Sequence, residues 1–469
     1  MMANRTMTPE GPLWRQVLCI AIPIAIWFAP LSADPPARHA LAITAFMMIA
    51  WITEALPHAL TGMVGCYLFW VLGVVPMRVA FGGFADQTPW FLFGAALLGA
   101  MATKSGIARR VAYLVIRHTG SSYSRILLGL ILTSFLLAIF VPSGLACVVI
   151  MAAVALGLME VLGIRPGSNI GRGIFITLTY TAGVFDKMVL AGAASILGRG
   201  MIERATHIPV YWSLWLLAFL PCALITIPFT WRLVLKLYPP EELFAPERAA
   251  ALLDDELKNM GALSLIEKKT LLLMILAVVL WMTDLIHHIS PAMIGIGAGL
   301  LAAIPGIGIL NQEDLKRVNY LPVFFVAAAI SMSDVLVETK ALATLTSVMF
   351  GWMGPVLTNP YAVAVIPYWT AFAYHLLLGN EISMLASSLP ALLRFASSHG
   401  LSPLQLGLIW SFAAGGKIFV YQSGVMVMGY SYGHFEARDL FRVGLILTIL
   451  ESALLLVLVP FYWPLIGIR

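Results

Sequence analysis

Asp186 and Lys187 stand side by side in Thr179-Tyr-Thr-Ala-Gly-Val-Phe-Asp-Lys-Met-Val-Leu-Ala-Gly-Ala-Ala-Ser-Ile-Leu-Gly198, an apolar stretch punctuated by Gly183, Gly192 and Gly198. A charge at membrane depth is costly and faces protein or water rather than lipid, so it reads first as a functional group. Glycines let a helix unwind, and unwound backbone inside a bilayer is tolerated only around a cavity. Gly415-Gly-Lys-Ile-Phe-Val-Tyr-Gln-Ser-Gly424 has the same character and carries Lys417. Two glycine-interrupted segments in corresponding halves point to a transporter's binding site. Lys187 and Lys417 are expected to face one shared chamber, where they hold an anion or stand where another carrier places a cation. The plainer alternative pairs each with a carboxylate, Asp186 or Glu381, and ties helices together. Buried ion pairs stabilise poorly, which favours the functional assignment.

Two turns complete the candidate site. Pro142-Ser143-Gly144 and Gly379-Asn380-Glu381 each break a long apolar run. A hydroxyl, an amide and free N–H groups at helix starts suit an anion, although ordinary turns use the same residues. Glu381 is open to three roles: proton carrier, partner of Lys417, or surface residue. Gln422 and Ser423 are placed to hydrogen-bond a carboxylate or to bridge helices. The expected substrate-binding residues are therefore Ser143, Gly144, Lys187, Gly192, Asn380, Lys417, Gln422 and Ser423. Asp186 and Glu381 are the coupling candidates. No catalytic residue, metal ligand or cofactor is assigned. His58 and His288 follow Glu54 and Asp284 by four positions; a metal site or an intramembrane enzyme would need these four to converge. A cation or proton antiporter using Asp186 or Glu381 is the other alternative.

The elements that must position these groups are membrane helices. Of 469 residues, 60% are hydrophobic and 11% charged, against about 25% charged in a soluble domain. Several apolar runs approach the roughly 20 residues that a spanning helix needs. The polar start, Met1 to Arg15, precedes a first span near 14–31 that stays as an anchor rather than a cleaved signal. Cys19, Cys66, Cys147 and Cys222 sit singly in apolar runs and read as packing residues. The net charge of +5 resides in loops, with Arg109, Arg110, Arg117 and Arg125 marking a cytoplasmic side, and no basic cluster suggests nucleic acid.

Taken in order, the chain reads as an N-terminal segment with one extra helix (1–36), a first repeat (37–235), a cytoplasmic linker (236–267, with Pro239-Pro240-Glu241-Glu242 and Asp254-Asp255-Glu256) and a second repeat (268–469). Trp281-Met-Thr-Asp284 echoes Trp51-Ile-Thr-Glu54 at an offset of 230 residues, and His288, Met293 and Gly295 match His58, Met63 and Gly65 at the same offset. Each repeat is expected to hold about five membrane segments. These include a re-entrant hairpin (123–162; 360–398) and a broken helix (172–205; 404–432). The arms around Pro142 look short for spanning helices, hence the hairpin. An odd number of crossings per repeat would invert the second against the first, a transporter architecture. The fold class is thus an all-α polytopic membrane protein.

Trp51-Ile-Thr-Glu-Ala-Leu-Pro57 resembles the Trp-x-Thr-Glu-Ala-Ile/Leu-Pro motif of the divalent anion/sodium symporter family, the sodium/dicarboxylate, citrate and sulfate carriers. The order of elements is similar along almost the whole chain, down to Phe441-Arg-Val-Gly-Leu-Ile-Leu. In that family Ser-Asn-Thr hairpin tips and Pro-Pro-Asn-type unwound segments bind a dianion and two sodium ions. Here Ser143-Gly144-Leu145 and Asn380-Glu381-Ile382 stand at the tips, with Ala194-Ser195-Ile196 and Gln422-Ser423-Gly424 at the unwound segments. The resemblance implies an elevator-type secondary carrier of small anions in the inner membrane, working as a homodimer. Its N-terminus would be cytoplasmic and its C-terminus extracytoplasmic. The scaffold would include spans near 60–75 and 290–305. Losing oxygen ligands while gaining ammonium groups suggests sodium-independent transport, by anion exchange or proton coupling.

Overall fold

A computed structural model describes residues 13–29, 34–141, 143–241 and 245–469. All regular structure among them is helical. Seven helices are long and apolar enough to cross a bilayer, and Gln87–Ser105 with Ile107–Thr119, bent by 69°, adds an eighth if it is one span. The chain is a multi-pass membrane protein. Leu13–Phe28 packs against Pro35–Thr53, and most of the other long helices fall into two groups that meet where Ala193–Thr206 packs on Gln87–Ser105 and Glu381–Ser398 on Leu321–Glu338.

The first group gathers His58–Val71, Gln87–Ser105, Pro291–Ala303 and Leu321–Glu338. Small residues set its crossings, as expected where lipid gives helices no hydrophobic reason to associate. A Cβ on Gly94 would lie 2.5 Å from the carbonyl carbon of Gly295, so these two backbones touch directly. Trp51 and Trp281 do similar work in the two halves: each indole N–H donates at 3.1 Å to a carbonyl at the start of the next long helix, that of His58 or Pro291.

The second group holds the two helical pairs, the two broken helices, Trp212–Leu237 and the closing helix Ala437–Val457. Hydrogen bonds from aromatic side chains tie these elements through dry interior. Tyr180 donates to the carbonyls of Lys417 and Gly444 (3.0 and 3.3 Å), Tyr368 to that of Thr448 (3.0 Å), and Trp410 to Ser388 Oγ (2.9 Å).

Two expectations change. The arms Tyr123–Phe140 and Gly144–Leu162 have 18 and 19 residues, each long enough to span, so shortness does not mark them as a hairpin. The linker is not merely solvated. Pro246–Met260 is an amphipathic helix that buries Ala249 and Leu253 and packs on Ile107–Thr119. Arg117 pairs with Asp254 at 2.6 Å and Arg109 with Glu256 at 3.2 Å across that contact. Pro142 and Glu242 lie outside the described residues.

Candidate functional site

Four helices of the second group begin at one cavity of about 650 Å³, which the start of Leu321–Glu338, from the first group, also lines. The four are Gly144–Leu162 and Glu381–Ser398 from the two helical pairs, and Ala193–Thr206 and Gly424–Ser431 from the two broken helices. The residue before each start also lines the wall: Ser143, Asn380, Gly192 and Ser423. Three of these cap their helices, Ser143 Oγ accepting from Ala146 N (3.3 Å), Asn380 Oδ1 from Ile382 N (2.8 Å) and Ser423 Oγ from Val425 N (3.3 Å). The other N–H groups of a first turn have no carbonyl within their own helix. Four such ends, each with the positive pole of its dipole inward, make a site for negative charge.

The first break lies just beyond the charged pair. The resemblance put the unwound segment at Ala194-Ser195-Ile196, but those residues form the first turn of Ala193–Thr206, and the preceding helix runs through Met188. It ends because the Asp186 carbonyl accepts from both Ala191 N (2.8 Å) and Gly192 N (2.9 Å), with Leu190 at φ 58°. This turn aims the Asp186 carboxylate into the cavity wall. A Cβ at Gly144 or at Gly192 would stand 2.9 Å from Asp186 Oδ2. Glycine at both positions is therefore what lets the carboxylate fit between a helix start and the break.

Lys417, wholly buried, points at the same region from behind. Its Nζ donates to the carbonyl of Gly183 (2.9 Å) and pairs with Glu381 Oε2 (3.0 Å). Glu381 Oε1 accepts from Ser423 Oγ (3.1 Å). Gln422 is turned away from the cavity: its Oε1 accepts from the N–H groups of Ile418 (2.7 Å) and Phe419 (2.8 Å), holding the second break open. His375, which sequence reasoning missed, packs beneath it with ring nitrogens 3.1 Å from the carbonyls of Gly416 and Gln422.

Lys187 does not line the cavity. Its ammonium, 4% exposed as a residue, meets Glu451 Oε2 at 2.8 Å, donates to the Phe412 carbonyl at 3.2 Å and lies 4.5 Å from the Phe412 ring centroid. Glu451 also accepts from Tyr368 (3.0 Å). The two ammonium groups therefore do not share a chamber: the last turn of Asn169–Met188 sends Asp186 to one side and Lys187 to the other. Glu451 is the single carboxylate in the apolar run 443–464, and that isolation was the signal available for it.

The mouth of the cavity carries Lys104, Asp314, Arg317 and Asn319. A second cavity, about 800 Å³, lies at the other ends of two of these helices, Ala193–Thr206 and Glu381–Ser398, and of Leu321–Glu338, and is lined by Arg204, Asp334 and Arg394 among others. There Arg204 pairs with Asp86 (2.6 Å) and with Asp334, joining a broken helix to the first group of helices. Glu54, His58, Asp284 and His288 line neither cavity. His58 rests on the Phe325 ring, whereas Asp284 accepts from Trp212 N (2.7 Å) and His288 meets the Tyr211 hydroxyl (2.8 Å).

Residues 11–469 match the family described as "Sodium:sulfate symporter transmembrane region". The chain belongs to this family. The resemblance carried by Trp51–Pro57 therefore holds across nearly the whole chain. Among its relatives in the symporter family, the L-tartrate/succinate antiporter of Shigella dysenteriae is 22% identical, the alignment covering 98% of this chain and 100% of the relative. The chloroplastic dicarboxylate transporter 2 of Spinacia oleracea is 24% identical over 96% of this chain and 82% of that protein. The citrate/succinate antiporter of Escherichia coli is 22% identical over 97% and 98%.

Proposed function

We propose that this protein is a secondary transporter of small organic dianions such as dicarboxylates, and that it works without sodium. The observation that carries this is the meeting of four helix starts at one cavity, in a chain whose family is a transport family. Relatives with dicarboxylate, tartrate and citrate in their names favour carboxylates over sulfate. Ser143, Gly144, Gly192, Asn380 and Ser423 would cradle one carboxylate through backbone N–H groups and hydroxyl or amide side chains. Lys417 would supply fixed positive charge from behind, bound to the Gly183 carbonyl where a cation could otherwise sit. Lys187 and Gln422 would act indirectly, one anchoring the broken helix and the other shaping the second break.

Beside the helix starts, Asp186 and Glu381 place two carboxylates against the one ammonium of Lys417, so that end of the cavity is formally negative when both are ionised. Anion entry would then be favoured by protonation of one of them, which gives a route to proton coupling; exchange of one anion for another needs no such step. The two groups of helices suggest an elevator, with the hairpins and broken helices sliding against Gln87–Ser105, Pro291–Ala303 and Leu321–Glu338. Lys104 and Arg317 at the cavity, together with Arg109, Arg110 and Arg117 on Ile107–Thr119, the helix that follows Gln87–Ser105, favour a cytoplasmic orientation for that side, in an inner-membrane homodimer with a cytoplasmic N-terminus.

A thermal-shift screen of succinate, L-tartrate, citrate and sulfate, each with sodium or with choline as counter-ion, tests the proposal. Stabilisation by a carboxylate dianion equal in both salts is expected. Stabilisation by sodium or lithium alone, with no anion effect, would favour the cation antiporter instead.

A further inference from the structure

Among the cationic groups at the cavity, Arg317 has a neighbourhood unlike the others. Lys417, behind the wall, is committed to Glu381. Lys104 is committed to Asp314, reaching from the end of Gln87–Ser105 to the short helix Gln312–Arg317. Asp314 is engaged a second time, since its Oδ2 accepts from Asn311 N at 2.8 Å. The Lys104 hydrogen bond, with the Asn311 N–H and, at longer range, the Arg317 charge, holds the Asp314 carboxyl below the usual carboxylate range, so Asp314 stays ionised. Arg317 lies three residues beyond Asp314, where that carboxylate would otherwise be its natural partner. It makes no ion pair with any described residue, is exposed, and lines the cavity.

The position of Arg317 matters as much as its charge. The helix starts belong to the hairpins and broken helices, whereas Arg317 belongs to the segment leading into Leu321–Glu338, in the other group of helices. A guanidinium presents a planar fork that matches a carboxylate in bidentate fashion. We propose that Arg317 binds the distal carboxylate of a dianion whose first carboxylate lies on the helix starts, so that it sets the preference for two charges over one. Lys104 acts as a positioning residue: by holding Asp314 it keeps Arg317 open. This rests on the anion-transport function proposed above and names the group that would read the second charge.

Succinate uptake by the full-length protein in sodium-free proteoliposomes tests it, through KM and maximal rate separately. Arg317→Gln should raise the KM for succinate about tenfold, the size expected for a charged hydrogen bond, with the maximal rate within about twofold; Arg317→Lys should be intermediate. Lys104→Gln should also raise KM, because the released Asp314 captures Arg317, and Lys104→Gln with Asp314→Asn should restore it. That rescue is a result a purely structural role for Lys104 would not give. An unchanged KM in Arg317→Gln, or no rescue by the double variant, overturns the inference while leaving transport itself intact. Wild-type protein that takes up no dicarboxylate overturns the transport proposal and this inference with it.

Discussion

The ammonium of Lys417 donates at 2.9 Å to the main-chain carbonyl of Gly183, so a side chain from one broken helix grips the backbone of the other. It does so wholly out of water, beside Glu381. Removing one member of a buried pair strands the other, at a cost of about 3–5 kcal/mol, whereas removing both costs far less. Lys417→Met should therefore unfold at a much lower temperature than wild type, and Lys417→Met with Glu381→Leu should recover most of that loss. Neither variant should bind a dianion. Full anion binding by the recovered double variant would show that Lys417 has only a structural role.

The pair formed by Lys187 and Glu451 lies off the cavity wall, which separates its fate from that of Lys417. Lys187→Met alone should again cost about 3–5 kcal/mol. Lys187→Met with Glu451→Leu should be nearly as stable as wild type and should keep succinate uptake within a few-fold. Thermal unfolding and uptake on the same preparations check this. Loss of uptake with full stability would place Lys187 in the transport machinery after all.

Anion affinity should depend on pH through the carboxylates at the site. With Asp186 as the proposed coupling carboxylate, protonating it removes negative charge from the wall, so the KM for succinate should fall as pH is lowered from about 8 to about 7, a range in which the substrate remains a dianion. Asp186→Asn should weaken that dependence. Asp314 is not its source: held low by Lys104, it stays ionised over this whole range. A pH profile identical in wild type and Asp186→Asn would remove Asp186 from the coupling step.

Gly444 tests how tightly the closing helix presses on the second break. A Cβ there would sit 2.1 Å from the Lys417 carbonyl oxygen, whereas one at Gly297 meets nothing within 4 Å. Gly444→Ala should destabilise by about 1–3 kcal/mol through overpacking, and Gly297→Ala should be close to neutral. Equal unfolding temperatures for the two variants would contradict this packing.

Arg204, paired with Asp86 and Asp334 at the far ends of the helices that form the cavity, should favour the arrangement seen here. Arg204→Gln should increase labelling of a cysteine placed at Ser143 by an impermeant maleimide applied from the Arg204 side. Unchanged labelling would mean that the bridge has no part in alternation.

Much of this was legible in the sequence because glycine, proline and isolated charges punctuate long apolar runs. Gly379-Asn380-Glu381 and Gly415-Gly-Lys417 marked a turn and a break, and Trp51 and Trp281 marked related positions in the two halves. The direction in which Lys187 points was not legible. It depends on a carboxylate 264 residues away, and adjacent residues on a helix diverge by about 100°. The linker helix was obscured by its charges, although Pro246 at its start and Ala249 and Leu253 four apart carry a helical signature. Arg317 resembled any loop cation until the Lys104–Asp314 pair showed what it lacks.

In the proposed cycle a fixed ammonium and four helix starts hold the anion without sodium. Counterflow of radiolabelled succinate into proteoliposomes, with sodium or choline as the only added cation, tests it most directly. Equal wild-type rates in the two salts, together with loss of counterflow in Lys417→Ala, are expected. Counterflow that requires sodium in the wild-type protein would contradict the account.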